Sequence, residues 1–275
     1  MSLQISSLNS GSNGNCYYIG NDTEAILVDA GISCKETEKR MLRSGLSIEK
    51  IKAIFISHEH ADHISGLAGL SKKYQLPVYI TSGTLRAART KIEKHLIHTF
   101  QSDEAIVVGQ LHIIPFQKEH DADDPHSFIV CQGKSKVGVF TDIGIACEKV
   151  IHYFKQCDAA FLESNYDEDM LMNGSYPFIL KKRITNGKGH LSNKQALELY
   201  KMHRPAHMSH LILSHLSSNN NRPDIVHTMF SQHAEGRTVV VASRYEETQV
   251  YSIRGESAPV LMKRQYSKPS QLSLF

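Results

Sequence analysis

No run of about 18 apolar residues occurs in the 275-residue chain, which excludes a membrane-spanning helix of ordinary length. The opening MSLQISSLNS lacks the basic start and apolar core of a secretion signal, so a cytoplasmic protein is expected. Cysteine is sparse and poorly spaced for structural duty: Cys16, Cys34, Cys131, Cys147 and Cys157 are odd in number and never form a CxxC pair. Neither a disulfide scaffold nor a cysteine-zinc ribbon is indicated, and reduced thiols are expected. No Pro/Gly/Ser-rich stretch divides the chain and no repeat recurs, which favours one large domain over residues 1–261. Charge of one sign is also scarce. The formal net charge is +3, too small to argue for a polyanion unaided, and no zinc finger or helix-turn-helix announces base-specific reading.

What is present describes a folded globular protein, 41% hydrophobic and 21% charged. Hydrophobic patterning predicts strands at Leu3 to Leu8, Cys16 to Ile19, Ala25 to Val28, Ala53 to Ile56, Val78 to Ile80, Ala105 to Val108 and Leu111 to Phe116. A hairpin follows around Gly133, from Ser127 to Cys131 and Lys136 to Phe140. Later strands are expected at Ala159 to Leu162, Leu211 to Leu213 and Val239 to Ala242. Helices are expected at Lys35 to Arg43, after the histidine loop to Tyr74, from Thr84 to Lys94, Ser192 to Met202 and Pro223 to Phe230. Several strands run directly into a residue able to bind metal: Ile56 before His58, Phe116 before His120, Phe140 before Asp142, Leu213 before His215. Rigid strand ends of this kind bring together side chains from distant parts of a chain.

The chain holds 16 histidines, and their placement carries the chemistry. Residues 57–63 read SHEHADH, which sets His58, His60, Asp62 and His63 within six positions. That density suits an irregular loop in which His58 and His60 point toward one ion and Asp62 and His63 toward a neighbouring one. His120, Asp142 and His215 complete the count. Three histidines, His58, His60 and His120, can hold one ion; Asp62, His63 and His215 can hold the second; Asp142 can bridge them with room left for a shared water. His126 is a weaker candidate, and His95, His98, His152, His203 and His233 fit ordinary surface or core positions.

Taken together, AILVDAG at Ala25 to Gly31, SHEHADH, HDA at His120, TDIG at Thr141 and the late His215 resemble the metallo-β-lactamase-fold hydrolase superfamily. The segments SGSNGNCYYI, ESNYD, GHLSN and LSHLSSNNN are similar to its YycJ/WalJ branch, itself related to ribonuclease Z and the PhnP phosphodiesterases. The resemblance implies an α+β fold, a four-layer αββα sandwich with metals at the sheet edge. It also implies two divalent ions, zinc or manganese before iron or nickel, and a phosphodiesterase, foremost a 5′-to-3′ DNA exonuclease of repair or replication. In that chemistry a metal-bridging hydroxide attacks, Asp62 orients it, and His190 of GHLSN faces the scissile phosphate as electrostatic partner and proton donor. Asp29 would tie the histidine loop from behind, and Ser12 and Asn13 would approach the phosphate. The alternatives are a small cyclic phosphodiester or thioester as substrate, or a scaffold with vestigial catalysis.

Two further features point toward DNA. Lys181, Lys182, Arg183 and Lys188 lie close to His190 and suit a phosphate backbone, without sequence specificity. The last five residues, Gln271, Leu272, Ser273, Leu274 and Phe275, resemble the pentapeptide that binds the bacterial sliding clamp, with apolar anchors and a register-setting amide on a polar tail over residues 262–275.

Overall fold

The computed structural model describes residues 2–255; the tail over residues 262–275 and its QLSLF segment lie outside the described residues. Among the described residues, fourteen strands form two sheets of seven. In chain order come β1 (Leu3–Asn9), β2 (Cys16–Gly20), β3 (Ala25–Val28), α1 (Cys34–Arg43), β4 (Ile51–Phe55), α2 (Ala61–Ile64), α3 (Leu67–Tyr74), β5 (Val78–Ile80), α4 (Ser82–Ala87) and β6 (Ile97–Thr99). The second half adds β7 (Ile106–Val108), β8 (Leu111–Gln117), β9 (His126–Gln132), β10 (Ser135–Phe140), α5 (Glu148–Phe154), β11 (Ala159–Glu163), α6 (Glu168–Asn173) and α7 (Phe178–Thr185). It closes with α8 (Asn193–His203), β12 (His210–Ser214), α9 (Pro223–Ser231), β13 (Thr238–Val241) and β14 (Tyr251–Ile253).

The order β14-β1-β2-β3-β4-β5-β6 makes one sheet and β13-β12-β11-β10-β9-β8-β7 the other. Period-two alternation explains why they stack. In β3, Ile26 and Val28 join Tyr17, Phe55, Phe128 and Phe161 in the core between the sheets, while Ala25 and Leu27 face outward onto Leu67 and Leu70 of α3. On the far side, Leu211 and Leu213 of β12 pack with Phe154, Leu199, Tyr200 and Phe230 of α5, α8 and α9. Each sheet is therefore buried on both faces, which its nearly continuous apolar strands require. The result is the expected αββα arrangement. Among the described residues no helix is long and apolar enough to cross a membrane.

Parallel pairing fixes where polar residues can gather. Strands β3, β4, β5 and β6 run parallel, as do β10, β11, β12 and β13, and β8 shares the direction of β10 through two antiparallel pairings. Their carboxyl ends open at one edge, the usual place for a site in layered sheets. The helix expected from Thr84 to Lys94 is instead Ser82–Ala87, ending where Ala88 turns extended. Strands β6 and β14 and helices α5 to α7 were not foreseen. Three-residue strands carry no alternation, and α7 has no fully buried residue.

Candidate metal centre

Three residues at strand ends adopt left-handed backbone: Asp29 after β3 (φ 62°), Asp142 after β10 (φ 54°) and His215 after β12 (φ 58°). That region costs a residue with a β-carbon on the order of 1–2 kcal/mol. It is sustained at a site because surrounding structure over-determines it. Asp29 is fully buried. Its carboxylate accepts from the Ser57 amide (2.8 Å), the Ser57 hydroxyl (2.9 Å) and His63 Nδ1 (2.7 Å), so it ties down the segment that leaves β4. The HxHxDH segment differs from expectation in one respect. His58 and His60 lie in irregular chain, but Asp62 and His63 occupy α2, a single helical turn beginning after His60. The turn saves backbone hydrogen bonds in a buried corner, and it still brings Asp62 Oδ2 within 3.5 Å of His63 Nε2.

The seven expected residues converge as two groups. Donor atoms of His58, His60 and His120 lie within 4.8 Å of one another, and so do those of Asp62, His63 and His215. Asp142 stands between them, with Oδ2 3.2 Å from His63 Nε2 and Oδ1 3.8 Å from His120 Nε2. Partners behind the rings set which nitrogen points inward. His58 Nδ1 donates to Ser57 Oγ (2.9 Å), His120 Nδ1 to the Gly189 carbonyl (3.0 Å), His63 Nδ1 to Asp29 and His215 Nδ1 to Glu163 (3.1 Å). Each therefore turns Nε2 toward the cleft, the arrangement by which proteins orient metal-binding imidazoles. His58 Nε2 and His60 Nδ1 are 3.0 Å apart, and His120 Nε2 is 3.4 Å from the same His60 nitrogen. A shared cation satisfies all three. Asp142 Oδ2, buried without a hydrogen-bond partner, is the acceptor such a site needs, so the residues fit divalent ions.

Electrostatics agree. Burial, then the charge of His63, holds the His58 imidazole well below its ordinary range, which keeps it a neutral ligand. His215 is pushed up to about 10: burial opposes its charged form, but Asp142, Asp62 and Glu163 outweigh it. The cluster thus favours positive charge at its centre, a place for which protons and metal dications compete.

His190 lies beside these groups at the wall of a cleft of about 240 Å³, which Ser12, Asp62, Asn165, Tyr176, Arg183 and Ser217 also line. Its Nδ1 is 2.7 Å from Glu163 Oε1, leaving Nε2 to the cleft. The Ser192 and Gln195 capping box at the start of α8 fixes the chain just beyond. Three contributors escaped the sequence. Glu163, fully buried, also accepts from the Ile143 amide (2.8 Å) and the Leu191 amide (3.1 Å). Burial opposes its ionisation, but His190 and His215 hold it at about 2. Asn15 donates to Asp62 Oδ2 (3.1 Å) from the loop that also carries Ser12. Lys118 is buried, with Nζ donating to the Thr141 carbonyl (2.6 Å) beneath Asp142. Glu163 and Asn15 lie within ESNYD and SNGN, but neither segment singled them out for this role. Asn13 instead donates to the Arg244 carbonyl (3.0 Å), and His126 sits apart with Nδ1 on the Asp124 carbonyl (3.0 Å).

Two helix-flanked sheets, with histidines and carboxylates gathered where parallel strands end, define a metal-dependent hydrolase of the metallo-β-lactamase fold. Residues 24–216 match the beta-lactamase superfamily domain, and the chain belongs to that family. It is 34% identical over 254 residues to Exodeoxyribonuclease YycJ of Bacillus anthracis, spanning 90% of this chain and 94% of that protein. Exodeoxyribonuclease WalJ of Streptococcus pneumoniae is 31% identical over 239 residues, 85% of this chain and 89% of its own. The metallo-β-lactamase fold protein YhfI from Bacillus subtilis superposes with a TM-score of 0.71 at 18% identity, over 92% of this chain and all of that one, a likeness of fold.

Proposed function

We propose that the chain is a cytoplasmic 5′-to-3′ DNA exonuclease of repair or replication, working with two divalent ions, zinc or manganese. The observation that carries this reading is similarity along nearly the full length to two proteins named exodeoxyribonucleases. The geometry supports it. His58, His60 and His120 would hold one ion, Asp62, His63 and His215 the other, with Asp142 shared between them. Bound there, such ions activate water near neutral pH and polarise a phosphoryl oxygen. Asp62, the partly exposed carboxylate of the cluster, orients the attacking water. Glu163 fixes the His190 ring, whose Nε2 faces the phosphate, stabilises the charge that builds on it and delivers a proton to the leaving oxygen. Ser12 and Ser217 at the cleft wall give the phosphate hydroxyl partners. The QLSLF segment is read as a tether to a sliding clamp; deleting Gln271 to Phe275 is expected to abolish clamp binding in surface plasmon resonance.

The test is digestion of end-labelled single- and double-stranded DNA, with 5′-phosphate or 5′-hydroxyl ends, and of RNA, by metal-loaded protein and a His58→Ala/Asp62→Ala control. Stepwise loss from the 5′ end, absent in the control and in chelator, is expected. Metal bound but no nucleic acid cleaved would refute the nuclease reading.

A further inference from the structure

Three exposed apolar side chains lie together on one arm beside the cleft, α6 and α7. Met172, Phe178 and Ile179 are 63%, 76% and 82% exposed. The inner face of the same arm lines the cleft through Tyr176, Leu180, Arg183 and Ile184. The arm is braced rather than loose: Lys181 Nζ donates to the Met172 carbonyl (2.7 Å), Asn219 Nδ2 to the Tyr176 hydroxyl (3.1 Å), and Arg183 pairs with Asp121 beside His120. It is also joined to the proposed proton donor, since the His190 amide donates to the Ile184 carbonyl (3.0 Å). A β-carbon at Gly189 would land on the Ile184 carbonyl, so only glycine permits this close junction.

Charge says what covers the tip. The arm's carboxylates lie in the first turn of α6, Asp169 and Glu168, the latter paired with Lys194; from residue 174 to 190 the chain carries Lys181, Lys182, Arg183 and Lys188 and no carboxylate, and Lys182 and Lys188 are exposed. An apolar tip beside bare ammonium groups matches a partner that alternates flat apolar faces with anions. A single-stranded nucleic acid does so; a duplex hides its base faces.

Resting on the nuclease reading above, we propose that the α6–α7 arm is a stacking platform for the unpaired end of a DNA strand. Phe178 and Ile179 take base faces and Lys182 and Lys188 take the flanking phosphates, so that the strand entering the cleft beside His190 is single. Blunt duplex then has to fray before it is cut.

Full-length, metal-loaded protein is compared with Phe178→Ala/Ile179→Ala, Phe178→Trp and Lys182→Ala/Lys188→Ala. Substrates are a single-stranded oligonucleotide, a blunt duplex and bis(p-nitrophenyl) phosphate. The apolar double variant should raise KM for the single strand about tenfold, the cost of a lost base stack, well beyond any change on the small diester. Phe178→Trp, which keeps an aromatic face, should hold KM near that of the unaltered protein, and the lysine variant should flatten the salt dependence of KM. An end-placed 2-aminopurine should lose fluorescence on the unaltered protein and recover it on the double variant. Cleavage with an unchanged single-strand KM overturns the platform and spares the nuclease. Dissociation of a dimer by the double variant overturns it in favour of a contact between copies. If the unaltered protein cuts the small diester but no DNA, nuclease and platform fall together.

Discussion

Glu163→Gln is the sharpest probe of how this site is held. Oε1 of Glu163 faces two imidazole nitrogens, on His190 (2.7 Å) and His215 (3.1 Å), and Oε2 faces two backbone amides, on Ile143 (2.8 Å) and Leu191 (3.1 Å). A glutamine has one oxygen and one donating nitrogen, so either orientation sets two donors against a donor. If the nitrogen faces the backbone, the two loops that Oε2 links lose their clasp. If it faces the rings, His215 must move its proton to Nε2, which removes a metal lone pair from the cleft. Hydrogen bonds to a buried charge contribute about 1.5–3 kcal/mol each, so a destabilisation of about 2–4 kcal/mol is expected after partial relief by a tautomer change. Loss of an outer partner to a metal-binding histidine lowers metal affinity about 10- to 100-fold. Isothermal titration with metal gives the affinity, and urea unfolding in chelator gives stability without metal. A Glu163→Gln protein within twofold in metal affinity and within about 0.5 kcal/mol in stability would sink the clasp.

His215→Gly should be more stable than His215→Ala by about 1 kcal/mol in chelator, because φ of 58° is free of cost to glycine alone; equal urea midpoints contradict the left-handed backbone. Gly31→Ala should lose about 1–3 kcal/mol and most activity, since its β-carbon would meet the Asp62 carbonyl; a thermal melt and a cleavage assay decide. Glu38 accepts from Lys73 (2.7 Å) and Tyr74 (2.8 Å) where α1 meets α3, and its carboxyl is held at about 2, chiefly by Lys73. Its folded value lies below its unfolded one, so its contribution is full above pH about 4.5 and fades as pH falls toward 2. Glu38→Gln should therefore be less stable at pH 7 by about 0.5–1 kcal/mol, a partly exposed pair. The gap should close on acidification, and a gap constant to pH 2.5 refutes the assignment.

The histidine and aspartate set was legible because its spacing is dense and each distant member follows a predicted strand; the parallel sheets then carry those ends to one edge. Glu163 was not. It closes a run of buried apolar residues, AAFLE, and nothing local distinguishes a carboxylate that folds inward from one that faces water. Lys118 is hidden in the same way, since lysine is normally exposed and only the fold places it under Asp142. The arm was half visible. Its lysines stood out as charge, but without a helix expected there, nothing in the sequence marked Phe178 and Ile179 as an uncovered apolar face.

The pairing of β1 with β14 has a consequence in time. Leu3 lies opposite Ile253, so the first described strand keeps an open edge until the last described strand arrives. The groups proposed to hold metal are divided in the same way: His58 to His63 emerge early, and His215 only after both sheets are nearly made. A nascent chain halted near residue 205 would carry six of the seven proposed ligands but not His215, with no closed edge beside β1 and no completed site. Such a chain, stalled on the ribosome, is expected to remain protease-sensitive and chaperone-bound until β14 adds on. Metal binding would then follow closure of this sheet rather than precede it.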